Sequence, residues 1–345
     1  MRARLVCAFA AVSLFAGCAI HPLPEDVARA NSFDIVRQIR CETRDTVREA
    51  VIGYLDILAN QGSVTARQLA SQYRSDPASI RNYHYNLLKT PDLPKEAWEA
   101  AKLFYDTGIA YTFDFAITED NDFTADLGFL KQRPFSKVSL GINAGAKRKR
   151  ANERIFTVTD TFSGLLTKLT EAHCEGQIVG PNYAYPISGR IGVDKLVNDF
   201  IYITLFENLA GKDAKPGDLT GPPTMVDNLA FTTAITASAN PSIVFTPITP
   251  AFQLASASIN ALADRIDIHK VTIGLALSPT GLVELAPLRS YLFGPGSTQT
   301  GPQVAQAGPL YVGARVIGGG TPAERLAVIA VDQVKSREVQ LIPPP

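Results

Sequence analysis

Three histidines, His84, His173 and His269, lie outside the N-terminal stretch that holds His21, and they are the chain's natural general bases. They are far apart in sequence. No His-Glu-x-x-His helix or Cys-x-x-Cys pair accompanies them to hold zinc. In His173-Cys174-Glu175 a base stands beside a thiol, the two groups nucleophilic catalysis uses. Adjacent residues seldom face each other, however, and a bond from Cys174 to Cys41 would remove the thiol. His269 with Asp264 and Asp267 could orient a serine, but no Gly-x-Ser-x-Gly elbow is present, so a hydrogen-bonded structural histidine is expected.

Two further patterns fall short of their chemistry. Asp120, Asp122, Thr124 and Asp126 alternate like the early ligands of a calcium loop. Ala125 stands where the sharp turn wants glycine and Lys131 where the bidentate glutamate belongs, so an acidic loop without metal is expected. Gly141 to Lys147 lacks the spacing of a phosphate-cradling loop. Tyr83/Tyr85 and Tyr183/Tyr185 are aromatic pairs that could line a ligand groove, although ordinary packing explains them. No catalytic set, metal site or cofactor motif emerges. The cations Lys147, Arg148, Lys149 and Arg150, with Arg154 behind them, are expected where a hairpin turns, as a solvated loop or a contact for an anionic envelope surface.

The N-terminus carries the most specific signal. Arg2 and Arg4 precede an uncharged stretch, Leu5 to Ala16, of the length of a signal-peptide core and too short for a bilayer span. It ends in Leu14-Phe15-Ala16-Gly17-Cys18, which resembles the lipobox of bacterial lipoproteins, with Phe15 where leucine is usual. The resemblance covers about the first twenty residues. It implies cleavage before Cys18, lipid on that residue, and a membrane tether. Ala19, where lipoproteins kept in the inner membrane often carry aspartate, implies an outer-membrane destination facing the periplasm. No other stretch resembles a membrane span, so the mature chain is expected to be a tethered soluble body.

Lysine plus arginine and aspartate plus glutamate each number 33. Loss of residues 1–17 removes Arg2 and Arg4 and no acid, which gives nucleic acid nothing to bind. Once Cys7 has left and Cys18 is lipidated, Cys41 and Cys174 remain, either as a disulfide of an oxidising compartment or as two buried thiols.

The elements expected to position these residues begin with a tether, residues 18–31. A helical region follows over 32–108. There Ser32 starts a long helix whose Val36, Ile39, Val47, Ala50, Val51, Tyr54 and Leu58 share a face opposite Glu42, Asp45, Glu49 and Asp56. Ser63 or Thr65, Asp76-Pro77 and Pro94 can open three more helices. Period-two alternation then sets in at Tyr111–Ile117, Val138–Ile142 and Phe156–Val158. Residues 109–211 thus form a sheet with a helix from Val193 to about Ala210. A linker-like loop over 212–228 precedes a β-rich region, 229–345, with strands at Ser242–Thr246, Ile266–Leu277, Leu310–Ile317 and Leu326–Gln340. The expected fold is α+β, helices first and a largely antiparallel sheet after, with an additional packed helix. The expected role is a non-enzymatic envelope lipoprotein that binds or assembles another envelope component. A periplasmic hydrolase with dispersed catalytic residues and a small-molecule binding lipoprotein are the alternatives.

Overall fold

The computed structural model describes residues 22–28, 30–207, 209–211, 221–245, 253–281, 284–285, 287–288 and 320–340. Cys18 and the strand expected at Leu310–Ile317 lie outside them. Among the described residues the helices are α1 (Glu25–Ala28), α2 (Ser32–Asn60), α3 (Val64–Ser75), α4 (Lys95–Tyr105), α5 (Phe162–Lys168), α6 (Val193–Phe206) and α7 (Pro322–Gln340). The strands are β1 (Gly108–Arg133), β2 (Ser136–Thr161), β3 (Thr224–Ala239), β4 (Ser242–Val244) and β5 (Gln253–Ala276). The architecture is α+β: helices, then an antiparallel sheet of order β2-β1-β5-β3 with β4 also on β5, then a packed C-terminal helix. Two units divide it. One comprises residues 1–31, 114–154 and 231–269, the other 32–113, 155–230 and 270–345.

The second unit holds helices α2 to α7. Ser63 opens α3 by accepting from the Ala66 amide, and Thr161 opens α5 by accepting from Gly164. Asp76 and His84 cap two short 3-10 turns, Pro77–Asn82 and Tyr85–Leu88, where one α-helix was expected. The core gathers Ile35, Ile39 and Leu55 of α2 with Leu103, Ile109, Tyr111 and Phe200, all at most 2% exposed. Cys41 of α2 is bonded to Cys174, 133 residues on, with Cα atoms 5.6 Å apart.

Glu42 departs from the solvent face assigned to it. It is buried, and its carboxylate accepts from the amides of Ile191, Gly192 and Val193 at 2.8–2.9 Å. The Gly192 and Val193 amides are donors the start of α6 leaves unsatisfied, and the helix dipole favours an anion there. Gly192, with φ at +91°, makes the sharp entry.

The expected strand at Leu326–Gln340 is a helix. Thr321 and Glu324 bond each other's amides as a capping box, and Ala323, Ala327 and Val331 then recur at four-residue spacing as the buried stripe. Ala327 and Val331 pack with Ala110 and Ala276. The approach is close enough that a Cβ on Gly274 would sit 2.7 Å from the Ala327 carbonyl oxygen. Two other boundaries shift: β3 starts at Thr224, inside the expected linker, and α6 ends at Phe206 rather than Ala210.

Candidate functional site

The first unit is built on long strands, and its register can be read from side-chain contacts. Between β1 and β2, Lys147 donates to Asp122 at 3.0 Å, Lys149 lies 3.5 Å from Asp120, and Asn143 bonds Asp126. Between β1 and β5, Arg265 donates to Glu119 at 2.8 Å, and Gly128 lies against Ser256. Ser242 faces Ser258 across β4 and β5, and Phe245 donates to the Ala255 carbonyl.

This corrects the placement of the charged runs. The hairpin turns at Pro134-Phe135, so Lys147–Arg150 lie inside β2 and Asp120–Asp126 inside β1. Neither is a loop, because each acid finds a cross-strand partner on the same face. Period-two alternation also splits the basic run. Lys147 and Lys149 share the face of the aspartates; Arg148, Arg150 and Arg154 point to the other.

With the register in hand, the two faces differ in kind. One carries Phe123, Leu127, Val138, Leu140, Ile142, Ile235, Ile243, Phe245 and Ile259, all large apolar side chains 38–57% exposed. Alanines fill the gaps: Ala125 on β1, Ala144 and Ala146 on β2, Ala237 and Ala239 on β3, and Ala255, Ala257, Ala261 and Ala263 on β5. The opposite face presents Thr124, Asp126, Ser139, Asn143, Thr236, Ser238, Ser256, Ser258 and Asn260. Leu130, Val244, Leu254 and Leu262 are the exceptions on it. Across the spans 123–130, 138–146, 235–245 and 253–263 the one ionisable side chain is Asp126, held by Asn143.

The exposed apolar face exceeds the scattered single residues usual on soluble proteins. Nine residues at about 3.4 Å reach roughly 30 Å along a strand. Tilted by ~40°, that is comparable to the ~25 Å apolar band of a membrane barrel, whose strands cross with about 9–11 residues.

Beyond the apolar spans, away from the turn, Arg265 forms an ionic node. It is 9% exposed and donates to Asp267 at 2.8 Å, to Glu119, and to the Leu23 carbonyl at 2.6 Å. Asn152 donates to the Pro22 carbonyl at 3.0 Å. These bonds seat the residues that follow Cys18 on the sheet. A reader of the sequence could have found Arg265 only by knowing that the tether returns to it 242 residues away.

The other candidates hold little chemistry. His269 is buried, 3.8 Å from Asp267 and edge-on to Phe115, and desolvation keeps its pKa below the ordinary value. His173 packs edge-on to Phe33, its neighbour Cys174 consumed by the disulfide. His84 tilts against Tyr85 and Tyr105, Tyr85 meets Tyr105 edge-on, and Tyr83 meets Tyr73 edge-on. Tyr183 is exposed and Tyr185 buried, so that pair lines no common wall. Among the described residues no group of three His, Cys, Asp or Glu is placed to hold a metal. No described helix is long and apolar enough to cross a membrane, which leaves crossing by strands open. In the helical unit a groove of about 870 Å³ runs between α2, α4 and α6, with Asp45, Arg48, Arg190 and Asp194 at one end and Ile57, Ala100, Ile201 and Leu205 along the rest.

Fold and faces together define an α+β protein with a long, two-faced antiparallel sheet. The chain belongs to the family described as uncharacterised protein y4kA, whose family model matches residues 21–281 and so takes in all five strands. It is 32% identical over 278 residues to the uncharacterized protein y4kA of Sinorhizobium fredii (strain NBRC 101917 / NGR234), covering 78% of this chain and 81% of that one. Among solved structures, the InvG secretin-domain β-barrel of the Salmonella SPI-1 injectisome overlaps 56% of this chain and 72% of its own, at 7% identity and a TM-score of 0.19. InvG from residue 176 to its end, in the open-gate state, overlaps 55% and 66% at 10% identity and a TM-score of 0.17. Superpositions this loose carry no argument here.

Proposed function

We propose that the protein is an outer-membrane lipoprotein, anchored through Cys18, whose long strands enter the bilayer with their apolar face against the acyl chains. The observation that carries this reading is the single face of nine large exposed apolar side chains drawn from all four long-strand positions. In water that surface is unfavourable at about 25 cal/mol per Å² of apolar area; in hydrocarbon it is matched.

Three further features support it. Cys41 and Cys174 are bonded, as suits an oxidising compartment such as the periplasm. Pro22 is bonded to the sheet at Asn152. Cys18 precedes it by four residues, a reach of at most roughly 14 Å, so the lipid enters the membrane beside the strands. Arg148 and Arg150 follow Ala146 on the apolar face, where anionic headgroups would meet them. The role is structural, and the chain itself needs no reaction centre for it.

Because Cys18 carries lipid and Cys41 is bonded to Cys174, a single introduced cysteine can be labelled cleanly. With fluorophores placed one at a time at positions 139 to 143 of the full-length chain in vesicles, positions 140 and 142 should be quenched by nitroxide-bearing lipid. Positions 139, 141 and 143 should be quenched by aqueous iodide. Uniform access to iodide at all five positions would sink the proposal.

A further inference from the structure

Resting on that membrane reading, we infer that copies of this chain join edge to edge, β2 of one to β3 and β4 of the next, closing a barrel whose polar face lines a water-filled channel. Among the described residues the sheet order β2-β1-β5-β3 leaves β2 and β3 at the margins, each with a row of backbone donors and acceptors. In hydrocarbon such a row has no water to satisfy it, and open sheet edges do not occur there. The four described strands in cross-section are too few to close on themselves, since the smallest membrane barrels have eight. The missing strands must come from elsewhere, and the edges say what kind of strand they accept.

Phe245 donates to Ala255, and Ile259 donates to Pro241, so odd-numbered residues of this margin bond to β5. The even-numbered residues, Thr236 and Ser238 among them, aim their N–H and C=O groups at the open side. Pro241, whose missing N–H would have faced β5, leaves the outward row intact. Soluble proteins blunt an exposed edge with charges. Here no charged residue occurs from Asn228 to Ala263, which makes the margin a template for pairing.

The opposite margin matches it. β2 over 138–146 is likewise uncharged and alternates apolar residues with serine, glycine and asparagine, as β3 alternates isoleucine and alanine with threonine and serine. Pairing one to the other continues the apolar band outside and the polar band inside; a second copy supplies that complement without any other partner. The inner face holds Asp126 bonded to Asn143 and, just beyond the apolar spans, Asp122 bonded to Lys147. Such groups stay solvated, so the lumen must be wide enough for water. Barrels reach that width at about 16 strands, or four copies and more, whereas eight strands are filled by their own side chains.

The test uses the full-length lipidated chain in vesicles of phosphatidylethanolamine and phosphatidylglycerol. Counting copies by stepwise photobleaching of a single label should give one fixed number of four or more, and planar-bilayer recordings should show discrete ion-conducting steps. Thr236→Pro removes one outward N–H and should abolish both. Thr236→Ala keeps that N–H and should retain both. Single-copy particles that still alternate between lipid and iodide quenching along β2 would overturn the ring while leaving membrane insertion standing. Loss of the alternation as well would remove the reading beneath it. A fixed ring without conductance would overturn the channel. The wild-type count decides the first question even if the proline variant fails to fold.

Discussion

At the residue scale, the side chains that looked chemical are mostly structural, and His269 shows how. Desolvation lowers its pKa first, with the charge of Arg265 in the same direction, against the attraction of Asp267 and Asp114. The folded chain therefore binds that proton less readily than the unfolded one. Stability from this site is complete above the ordinary histidine value of 6.5 and falls as pH drops through it toward the folded value. The half-buried His173 is shifted the same way, again chiefly by desolvation. Thermal unfolding should thus move to lower temperature between pH 7.5 and 5.5, and His269→Gln should flatten that slope. An unchanged slope would assign the acid sensitivity elsewhere. Caps such as Ser63 and Asp76 were legible in the sequence because donor and acceptor are two or three residues apart. Glu42 was not, because its three amides come from 149 to 151 residues away and helical spacing alone put it on the wet face.

At the element scale, the two large departures have one cause each. Gly145 to Arg154 is polar, and polar stretches between apolar ones read as loops; β2 runs through it because Asp120 and Asp122 on β1 supply partners for Lys149 and Lys147. Nothing local to β2 announces that partnership. The segment from Leu326 to Val331 is apolar in every position, which hides any period, and its helical state is set by the capping box before it and the small residues it meets. Gly274 tests that contact. Its Cβ would also lie 2.7 Å from the Val331 side chain, so Gly274→Ala must push α7 off the sheet. The expected loss is about 1–3 kcal/mol, the usual range for overpacking, measured by chemical unfolding. A neutral substitution would mean that α7 is free to slide. On the membrane role proposed above, alternation also accounts for the lack of a second continuous apolar run, since half of the residues of each strand are polar.

At the scale of the whole molecule, the α+β class was readable from the change of period after Gly108, but the continuity of the strands was not, since 26-residue strands exceed the usual length several-fold. The Cys41–Cys174 bond closes a loop of 133 residues. Loop-closure entropy assigns such a cross-link about 5 kcal/mol. Cys41→Ser with Cys174→Ser should lower stability by an amount of that order in chemical unfolding. A loss below about 1 kcal/mol would show that α2 is held to the 172–174 turn by packing alone.

Under the membrane role proposed above, the exposed apolar sheet face also has a life before any bilayer is reached. A copy that has folded in water shows Leu140, Ile142 and Ile243 to every other newly made copy, alongside an edge with no charge to repel them. Its transit is therefore a race between delivery and self-adhesion, faster to fail as copy number rises. Producing this chain in quantity calls for an escort: a chaperone, a detergent, or a membrane waiting at the point of synthesis.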